Sequence, residues 1–311
     1  MARMYPLVSK AVLCELFGFT RQAWYDNRKR QSGYQMEEVF ILRQVKDLRK
    51  EHKRMGTEKL HRLIAPTLQK HNIKYGRDKF YILLREHGLL VRRRRRRPKT
   101  TNSKHFFRKY PNLVRDIEIM SSGRLWVSDI TYIRTEKGFV YLSLVTDAYS
   151  RKIVGWCLWP DLTSEGALNA LKMAISGEGV KQNLIHHSDR GIQYCCTDYV
   201  NYLQGSNINI SMTENGDPYE NAIAERVNGI LKNEYDLNET YPDYHAALEA
   251  TKVAVYKYNN KRPHRSVDFM LPVDAHKESG SLKKHWKKRE FNTTGKEATE
   301  YKPATKTSDK K

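Results

Sequence analysis

The chain has 311 residues, more than the ~150 residues of a typical domain, so its length predicts two domains with tails. Hydrophobic residues make up 39% and aromatic residues 11%, which excludes a wholly disordered chain, and no uncharged apolar run reaches the ~18 residues of a membrane-spanning helix. The net charge of +21 is unevenly placed: residues 1–110 contain 29 Lys and Arg against 9 Asp and Glu, whereas residues 111–279 contain 17 against 22. The basic first third predicts a polyanion-binding region joined to a domain of another kind.

The N-terminus does not read as a secretion signal, because Lys10 and Glu15 interrupt its apolar residues. The four cysteines show no metal-binding spacing, and the adjacent pair Cys195 and Cys196 is badly placed to hold one tetrahedral ion. We therefore predict a cytoplasmic protein with reduced thiols and no membrane contact.

The first helical region covers residues 8–30, where the apolar spacing predicts a helix, a turn at Gly18 and a second helix capped by Thr20. This pattern is typical of a helix-turn-helix, whose second helix would present Arg21 and Gln22 to a DNA groove. A two-helix packing unit with no DNA role would have the same pattern, so both interpretations stay open.

A second helical set follows, with helices predicted over residues 36–54, 57–69 and 77–87, the second capped at Thr57 and the third closed by Gly88. It ends in six consecutive arginines before Pro98. Such a run is often a solvated tail or a targeting signal, but its place between helical units and a core favours contact with DNA phosphates. The six residues are Arg92, Arg93, Arg94, Arg95, Arg96 and Arg97.

From Arg124 onward the periodicity becomes strand-like, and three runs rich in β-branched and aromatic residues predict an antiparallel meander. Helix, strand, helix, strand and helix follow as far as about residue 235. This order predicts an α/β domain with a mixed five-stranded sheet and helices on its faces, which is the element order of the ribonuclease H-like fold.

Three acids fall where this fold brings chain segments together. Asp129 lies within the first strand, Asp189 ends the fourth, and Glu225 lies on the helix after the fifth. Their oxygens are ligands suited to Mg²⁺. Two such ions ~3.5–4 Å apart could activate an attacking oxygen and stabilise a leaving one in phosphodiester displacement. The acids are therefore candidate catalytic and metal-binding residues.

The helix around Glu225 has an apolar face that leaves Glu225 and Lys232 on another side. Periodicity alone does not separate Glu225 from Glu220 and Glu234, and all three could be solvated helix charges.

Several motifs in order along residues 8–275 resemble one known family. They are MGTEKL through HGLL, WVSDITY, HSDRGIQY, SMTENGDPYENAIAERVNGILK and YNNKRPHRSVDFMLP. Together they resemble the DDE transposases of the IS-three insertion-sequence family, as the product of the downstream reading frame, and their relatives the retroviral integrases. Two departures are Glu220 in place of Asp and Arg226-Val227-Asn228 in place of Ser-Phe-Phe.

The resemblance implies that Asp129, Asp189 and Glu225 bind two Mg²⁺ ions, with Mn²⁺ as a possible substitute, and that Lys232 contacts transposon-end DNA. It also implies that His187 hydrogen-bonds a carboxylate that binds the metal, although a strand-end histidine facing water is the alternative. The Asn259–His264 cluster could equally touch DNA or stabilise a helix end.

The function that the resemblance implies is Mg-dependent cleavage at transposon ends and strand transfer of the 3′-hydroxyl. The partners would be double-stranded DNA, at terminal inverted repeats and at the target, and further copies of the chain on that DNA in a bacterial nucleoid. The alternatives are a catalytically inactive DNA-binding regulator and a ribonuclease H-like nuclease. The predicted domains are a helix-turn-helix over 1–34, a second helical DNA-binding unit over 35–91, a basic linker over 92–120, an integrase-like catalytic core over 121–279 and a disordered basic tail over 280–311.

Overall fold

The computed structural model describes residues 9–91 except 19, residues 106–283 except 116 and 215–220, and residue 285. The arginine run at 92–97 and most of the tail predicted over 280–311 lie outside this range. All four cysteines lie within it and none forms a disulfide. Within the same range, no helix is both long and apolar enough to span a membrane.

The N-terminal region begins with two helices, α1 (Lys10–Leu16) and α2 (Arg21–Glu51). The predicted turn is present, with Gly18 at φ 68°, and the Thr20 side chain accepts a hydrogen bond from the amide of Ala23 as an N-cap. The prediction of one helix that ends by residue 30 and another that begins at residue 36 is wrong, because α2 is continuous across these residues. Gly33 costs a helix interior only about 1 kcal/mol, which the flanking helix-forming residues outweigh.

Two further helices follow, α3 (Thr57–Lys70), which packs against α2, and α4 (Arg77–Glu86), which packs against α3. The predicted cap at Thr57 is wrong by one residue, because Gly56 is the N-cap and contributes no side-chain hydrogen bond. Gly88, at φ 65°, ends α4 as predicted. The apolar core of this unit consists of Ile41, Val45, Met55, Leu60, Ile64, Leu68, Phe80, Leu83 and Leu84.

The second domain contains the predicted five-stranded mixed sheet, in the order β3-β2-β1-β4-β5. The first three strands are antiparallel, and β1, β4 and β5 are parallel. A two-residue strand, β6, pairs with the end of β1 and was not predicted. The strands are β1 (Leu125–Thr135), β2 (Gly138–Asp147), β3 (Ile153–Trp159), β4 (Ile185–Ser188), β5 (Asn209–Met212) and β6 (Thr240–Tyr241).

Helices cover both faces of the sheet. One face packs against α5 and α7, and the other packs against α8 and α9. Gly155 on β3 permits the close approach of α5, because a Cβ there would lie 2.1 Å from the carbonyl oxygen of Ala170. The helices are α5 (Ser164–Glu178), α6 (Ile192–Cys195), α7 (Thr197–Gly205), α8 (Ala222–Glu234), α9 (Tyr244–Lys261) and α10 (Pro272–Ala275).

The N-terminal helical unit contacts the sheet domain through charged side chains at the ends of α8 and α9. Glu234 accepts hydrogen bonds from Arg262 at 2.9 and 2.7 Å, and Lys59 of α3 lies 3.5 Å from the same carboxylate. A more exposed pair joins Glu51 to Lys261 at 2.7 Å. The unit is thus attached to the helix that carries Glu225.

Candidate active site

The paired strands β1 and β4 bring two of the predicted acids together. Val127 is paired with His187 in the parallel register, and Asp129 and Asp189 each follow two residues later. In this parallel register the two acids lie beside each other on neighbouring interior strands, Asp129 within β1 and Asp189 directly after the end of β4. This pairing confirms the expected adjacency of the first and fourth strands. Both acids are partly buried.

Helix α8 crosses β1 and is held there by two asparagines. The Asn221 side chain donates to the carbonyl oxygen of Ser128 at 3.1 Å, and the Asn228 side chain donates to Asp129 Oδ2 at 2.8 Å. Both asparagines are buried. Glu225 lies between them in sequence and is exposed, away from the buried positions Val227 and Leu231. Glu225 is therefore on the side of α8 that faces Asp129, whose carboxyl senses its negative charge.

Burial and two neighbouring negative charges act on the Asp129 carboxyl. Burial raises the pKa of Asp129 to about 7, and the negative charge of Asp189 adds to the rise, with a smaller contribution from Glu225. The hydrogen bonds from Asn228 and from the amide of Ile130 oppose this shift. Asp129 thus senses the negative charges of both other acids, and a divalent cation would neutralise such an arrangement.

Asp189 is oriented by the turn that follows β4. Its Oδ1 accepts a hydrogen bond from the amide of Gly191 at 3.0 Å, and a Cβ at Gly191 would lie 3.0 Å from the same oxygen. A side chain at position 191 would therefore crowd the carboxylate. Glycine at this position leaves room around the oxygen for a ligand.

Lys232 lies two turns after Glu225 on α8. Its Nζ is 5.0 Å from the ring centroid of Tyr132, which belongs to β1 three residues beyond Asp129. The cation is thus on the acidic side of the helix, at the distance of a cation–π contact.

The residues fit a hard divalent cation in their chemistry, since the three side chains supply carboxylate oxygens. Among the residues that the structure describes, however, no three His, Cys, Asp or Glu side chains are arranged to hold an ion as they stand. The negative charge of Asp189 raises the pKa of Asp129 more than the charge of Glu225 does.

Both histidines before Asp189 are buried, so the alternative that they face water is wrong. His187 Nδ1 is 2.8 Å from Ser211 Oγ on β5, and His186 Nε2 is 2.7 Å from Ser128 Oγ and 2.9 Å from the Tyr199 hydroxyl. These bonds join neighbouring strands and α7. The hydrogen bond from His187 to a ligand carboxylate stays a prediction.

The structure gives Glu234, one rival of Glu225, a different role. Its side chain is only 14% exposed and pairs with the buried guanidinium of Arg262. Burial alone would raise the Glu234 pKa, but the hydrogen bonds and charges of Arg262 and Lys59 hold it below its usual value. Glu234 is therefore a structural anion, whereas Glu220, the other rival, lies outside the described residues.

Two members of the Asn259–His264 cluster bond to neighbours within the sheet domain, and both predicted roles of the cluster, DNA contact and stabilisation of a helix end, stay predictions. The Asn259 side chain bonds to both the amide and the carbonyl of Ile153 at 2.9 Å, and His264 Nδ1 is 2.8 Å from Ser266 Oγ. At the N-terminus, Arg21 and Gln22 are exposed on the first turn of α2, and the Gln22 amide bonds to Asp26 at 3.1 Å. The predicted contacts of Arg92–Arg97 fall outside the described residues.

The roles of Asn221, Asn228 and Gly191 beside the acids were not predicted from the sequence. A signal for the two asparagines was present, because they are seven residues apart and so lie on one stripe of a helix. Their position beside Asp129 depends on how α8 crosses β1, which the spacing alone does not determine.

Two family models, both described as an integrase core domain, match residues 121–218 and 206–272. An insertion element IS600 protein of 31 kDa from Shigella sonnei is 30% identical, over 84% of this chain and 96% of its own length. The transposase for insertion sequence element IS904 from Lactococcus lactis is 30% identical, over 80% of this chain and 98% of its own. The transposase InsF for insertion sequence IS3A from Escherichia coli is 32% identical, over 56% of this chain and 60% of its own length. The chain belongs to the family of insertion-sequence transposases with an integrase core domain.

Solved structures of viral integrases are also similar at low sequence identity. The catalytic core domain of HTLV-2 integrase in complex with magnesium is 19% identical, covers 50% of this chain and 97% of its own, and has a TM-score of 0.41. A chain of the simian T-cell lymphotropic virus intasome, in complex with a PP2A regulatory subunit, is 18% identical. The match covers 78% of this chain and 81% of that one, with a TM-score of 0.46.

Proposed function

We propose that the chain is a DDE transposase that cleaves DNA at the ends of its element and joins the freed 3′-hydroxyl to a target phosphodiester. The observation that carries this proposal is the register of β1 and β4, which makes Asp129 and Asp189 neighbours, together with the bond to Asp129 from Asn228, three residues after Glu225 on α8. Family membership supports the same reaction class.

Asp129, Asp189 and Glu225 would hold two Mg²⁺ ions, with Mn²⁺ able to substitute. Bound ions of this kind activate an attacking oxygen and stabilise the leaving oxygen in a phosphodiester displacement. The Asn228 amide fixes one oxygen of Asp129, and the Gly191 amide fixes one oxygen of Asp189, so each carboxylate presents its remaining lone pairs in a set direction. Lys232 would contact a phosphate of the transposon end.

The DNA would be held mainly by the basic first third. The predicted units over 1–34 and 35–91 would bind terminal inverted repeats, with Arg21 and Gln22 at the start of α2 and Arg92–Arg97 along the backbone. Residues 92–105 contain eight Lys and Arg and no Asp or Glu, which supports phosphate contact there. Several copies of the chain would act together on two ends and a target in the bacterial nucleoid.

The test is incubation of the full chain with Mg²⁺ and a duplex that contains the element's end. The proposal predicts both cleaved ends and longer strand-transfer products, each abolished by EDTA. Cleavage without strand transfer would instead favour a ribonuclease H-like nuclease. Binding without either product would favour an inactive regulator.

A further inference from the structure

A row of aromatic side chains crosses the three antiparallel strands. Tyr132 of β1 pairs with Tyr141 of β2, and Tyr141 pairs in turn with Trp159 of β3. Residues directly opposite one another in an antiparallel pair lie on the same face of the sheet. Helix α5 begins over the β3 end of the row, because a Cβ at Gly166 would lie 2.8 Å from the Trp159 Cβ. At the β1 end, Tyr132 is 39% exposed, so the row opens toward solvent there.

Phe139 of β2 enlarges the exposed end of this row. It is paired with Arg134, two residues after Tyr132, and is 49% exposed. The ring centroids of Tyr132 and Phe139 are 5.9 Å apart, those of Tyr132 and Tyr141 are 6.4 Å apart, and both pairs meet edge to face. The ring that offers its edge in such a pair keeps its own faces clear of its partner. We call Tyr132, Phe139 and Tyr141 the aromatic patch, and clustered exposed apolar groups of this kind indicate an interaction site.

Two cations lie against the rings of the aromatic patch. The Lys232 Nζ is 5.0 Å from the Tyr132 ring centroid, and the Arg134 guanidinium carbon is 5.1 Å from that of Phe139. The hairpin turn at 136–137 adds one charge of each sign. Proteins that bind single-stranded nucleic acid combine rings, which stack on the bases, with cations, which attract the phosphates. The composition of the patch is therefore complementary to a DNA strand with unpaired bases.

Helix α8 connects the aromatic patch to the candidate active site. Its Asn228 bonds to Asp129 at 2.8 Å. Lys232 follows one turn later and lies against Tyr132. Tyr132 follows Asp129 by three residues, ~10 Å along a strand, which matches about three nucleotide steps of DNA at ~3.4 Å each. A DNA strand whose phosphodiester lies at the acids would therefore reach the patch about three nucleotides away.

Asp129 and Tyr132 point to opposite faces of β1, because side chains alternate along a strand. β1 pairs with β4 as far as Val127 and with β6 from Arg134. Between these two pairings, no strand in the described part of the chain lies beside β1 on this side. A DNA strand that passes this gap would meet the acids on one face and the aromatic patch on the other.

We propose that the aromatic patch stacks unpaired bases of the DNA strand on which the acids act, about three nucleotides from the reacting phosphodiester. Tyr132 and Phe139, the two exposed rings, would hold the bases, and Arg134 and Lys232 would lie beside the flanking phosphates. A base held in this way fixes the strand that carries it, so the patch would position the strand for the reaction. The inference rests on the DNA reaction proposed above.

The test measures, in EDTA, how tightly the full chain binds two DNAs by fluorescence anisotropy. One is a blunt duplex that contains the element's end, and the other is the same duplex with a run of unpaired thymines at that end. The wild type should bind the extended duplex more tightly. Tyr132→Ala should weaken that binding at least about fivefold, the contribution of one base–aromatic stack. Its affinity for the blunt duplex should stay within about twofold of the wild type's, because no charge is removed.

Three control variants make the test specific for a stacking ring. Tyr256→Ala removes an exposed tyrosine of α9 outside the patch and should leave both affinities unchanged. Tyr132→Phe keeps the ring and should bind as the wild type does, whereas Tyr132→Leu keeps only an apolar side chain and should bind as Tyr132→Ala does. The proposal is overturned if the wild type shows no preference for the extended duplex, if Tyr132→Ala keeps that preference, or if Tyr132→Leu restores it.

Two other roles of the patch predict different results. Aromatic pairs across strands also stabilise a sheet, and this role alone would give Tyr132→Ala a lower thermal unfolding midpoint with an unchanged preference for the extended duplex. A second copy of the chain on the patch would instead change the sedimentation of the DNA-free chain on substitution, again with that preference unchanged. Either result would overturn the proposal.

If Tyr132→Ala does not fold, Phe139→Ala gives the same test, because the Phe139 ring is the more exposed of the two. These readouts need no catalysis. A wild type that prefers the extended duplex but gives no strand transfer with Mg²⁺ would therefore refute the proposed function and leave the stacking site standing.

Discussion

Replacement of Glu234 by alanine should destabilise the chain and leave Asp129, Asp189 and Glu225 unchanged. Arg262 is 1% exposed, and both of its bonds to Glu234, at 2.9 and 2.7 Å, would be lost. Removal of one partner from a buried ion pair costs about 3–5 kcal/mol, because the other charge stays buried and unpaired. We expect about 3 kcal/mol, the lower end, because the Glu234 side chain is 14% exposed and water can reach part of the gap.

The assay is urea unfolding of the full chain, followed by tryptophan fluorescence, with Glu249→Ala as the control. Glu249 also forms an ion pair, with Lys252 at 2.6 Å, but the side chains are 67% and 51% exposed, so its loss should change the unfolding free energy by less than about 0.5 kcal/mol.

A second substitution tests the cause. The double variant Glu234→Ala with Arg262→Met removes both charges, so it should be more stable than Glu234→Ala alone. A loss of less than about 1 kcal/mol in the unfolding free energy of Glu234→Ala would refute this explanation. So would a double variant that is no more stable than Glu234→Ala.

Three further predictions concern the candidate metal site and the helix proposed to contact DNA. The pKa of Asp129 is raised to about 7, so its carboxyl must lose a proton before a cation binds. The rise in thermal unfolding midpoint that Mg²⁺ causes should therefore be larger at pH 8 than at pH 6. An equal rise at the two pH values would contradict this. Asn228→Ala removes the 2.8 Å bond to Asp129 and should raise the Mg²⁺ concentration needed for half-maximal strand transfer by about tenfold, with unchanged duplex binding by gel shift. Arg21→Gln should weaken duplex binding and reduce its salt slope by about 0.9, whereas an unchanged slope would favour a packing role for α1 and α2.

Much of the sheet domain could be predicted because its signals are local. Runs of β-branched and aromatic residues mark β1 to β3, and the element order then makes β1 and β4 neighbours, which brings Asp129 and Asp189 together. Helical periodicity separated Glu225 from the apolar face of α8. The uninterrupted α2 was not predicted, because a single glycine weakens a helix without ending it.

The contacts that were not predicted join residues far apart in the chain. Glu234 pairs with Arg262, 28 positions later, and lies 3.5 Å from Lys59, 175 positions earlier. Spacing on α8 does not distinguish such a buried anion from a solvated charge. The Asn228 bond to Asp129 likewise depends on the way α8 packs across β1.

The central claim is that three acids form one catalytic metal site, and Glu225 is the member whose assignment depends most on the position of α8. The measurement is the Mg²⁺-dependent strand-transfer rate of Glu225→Gln on an end-containing duplex, beside Glu249→Gln as an exposed-acid control. Loss of a metal ligand removes several kcal/mol of transition-state stabilisation, so the rate should fall at least about a hundredfold, with gel-shift binding and unfolding midpoint unchanged. A Glu225→Gln rate within a few fold of the wild type's would contradict the account.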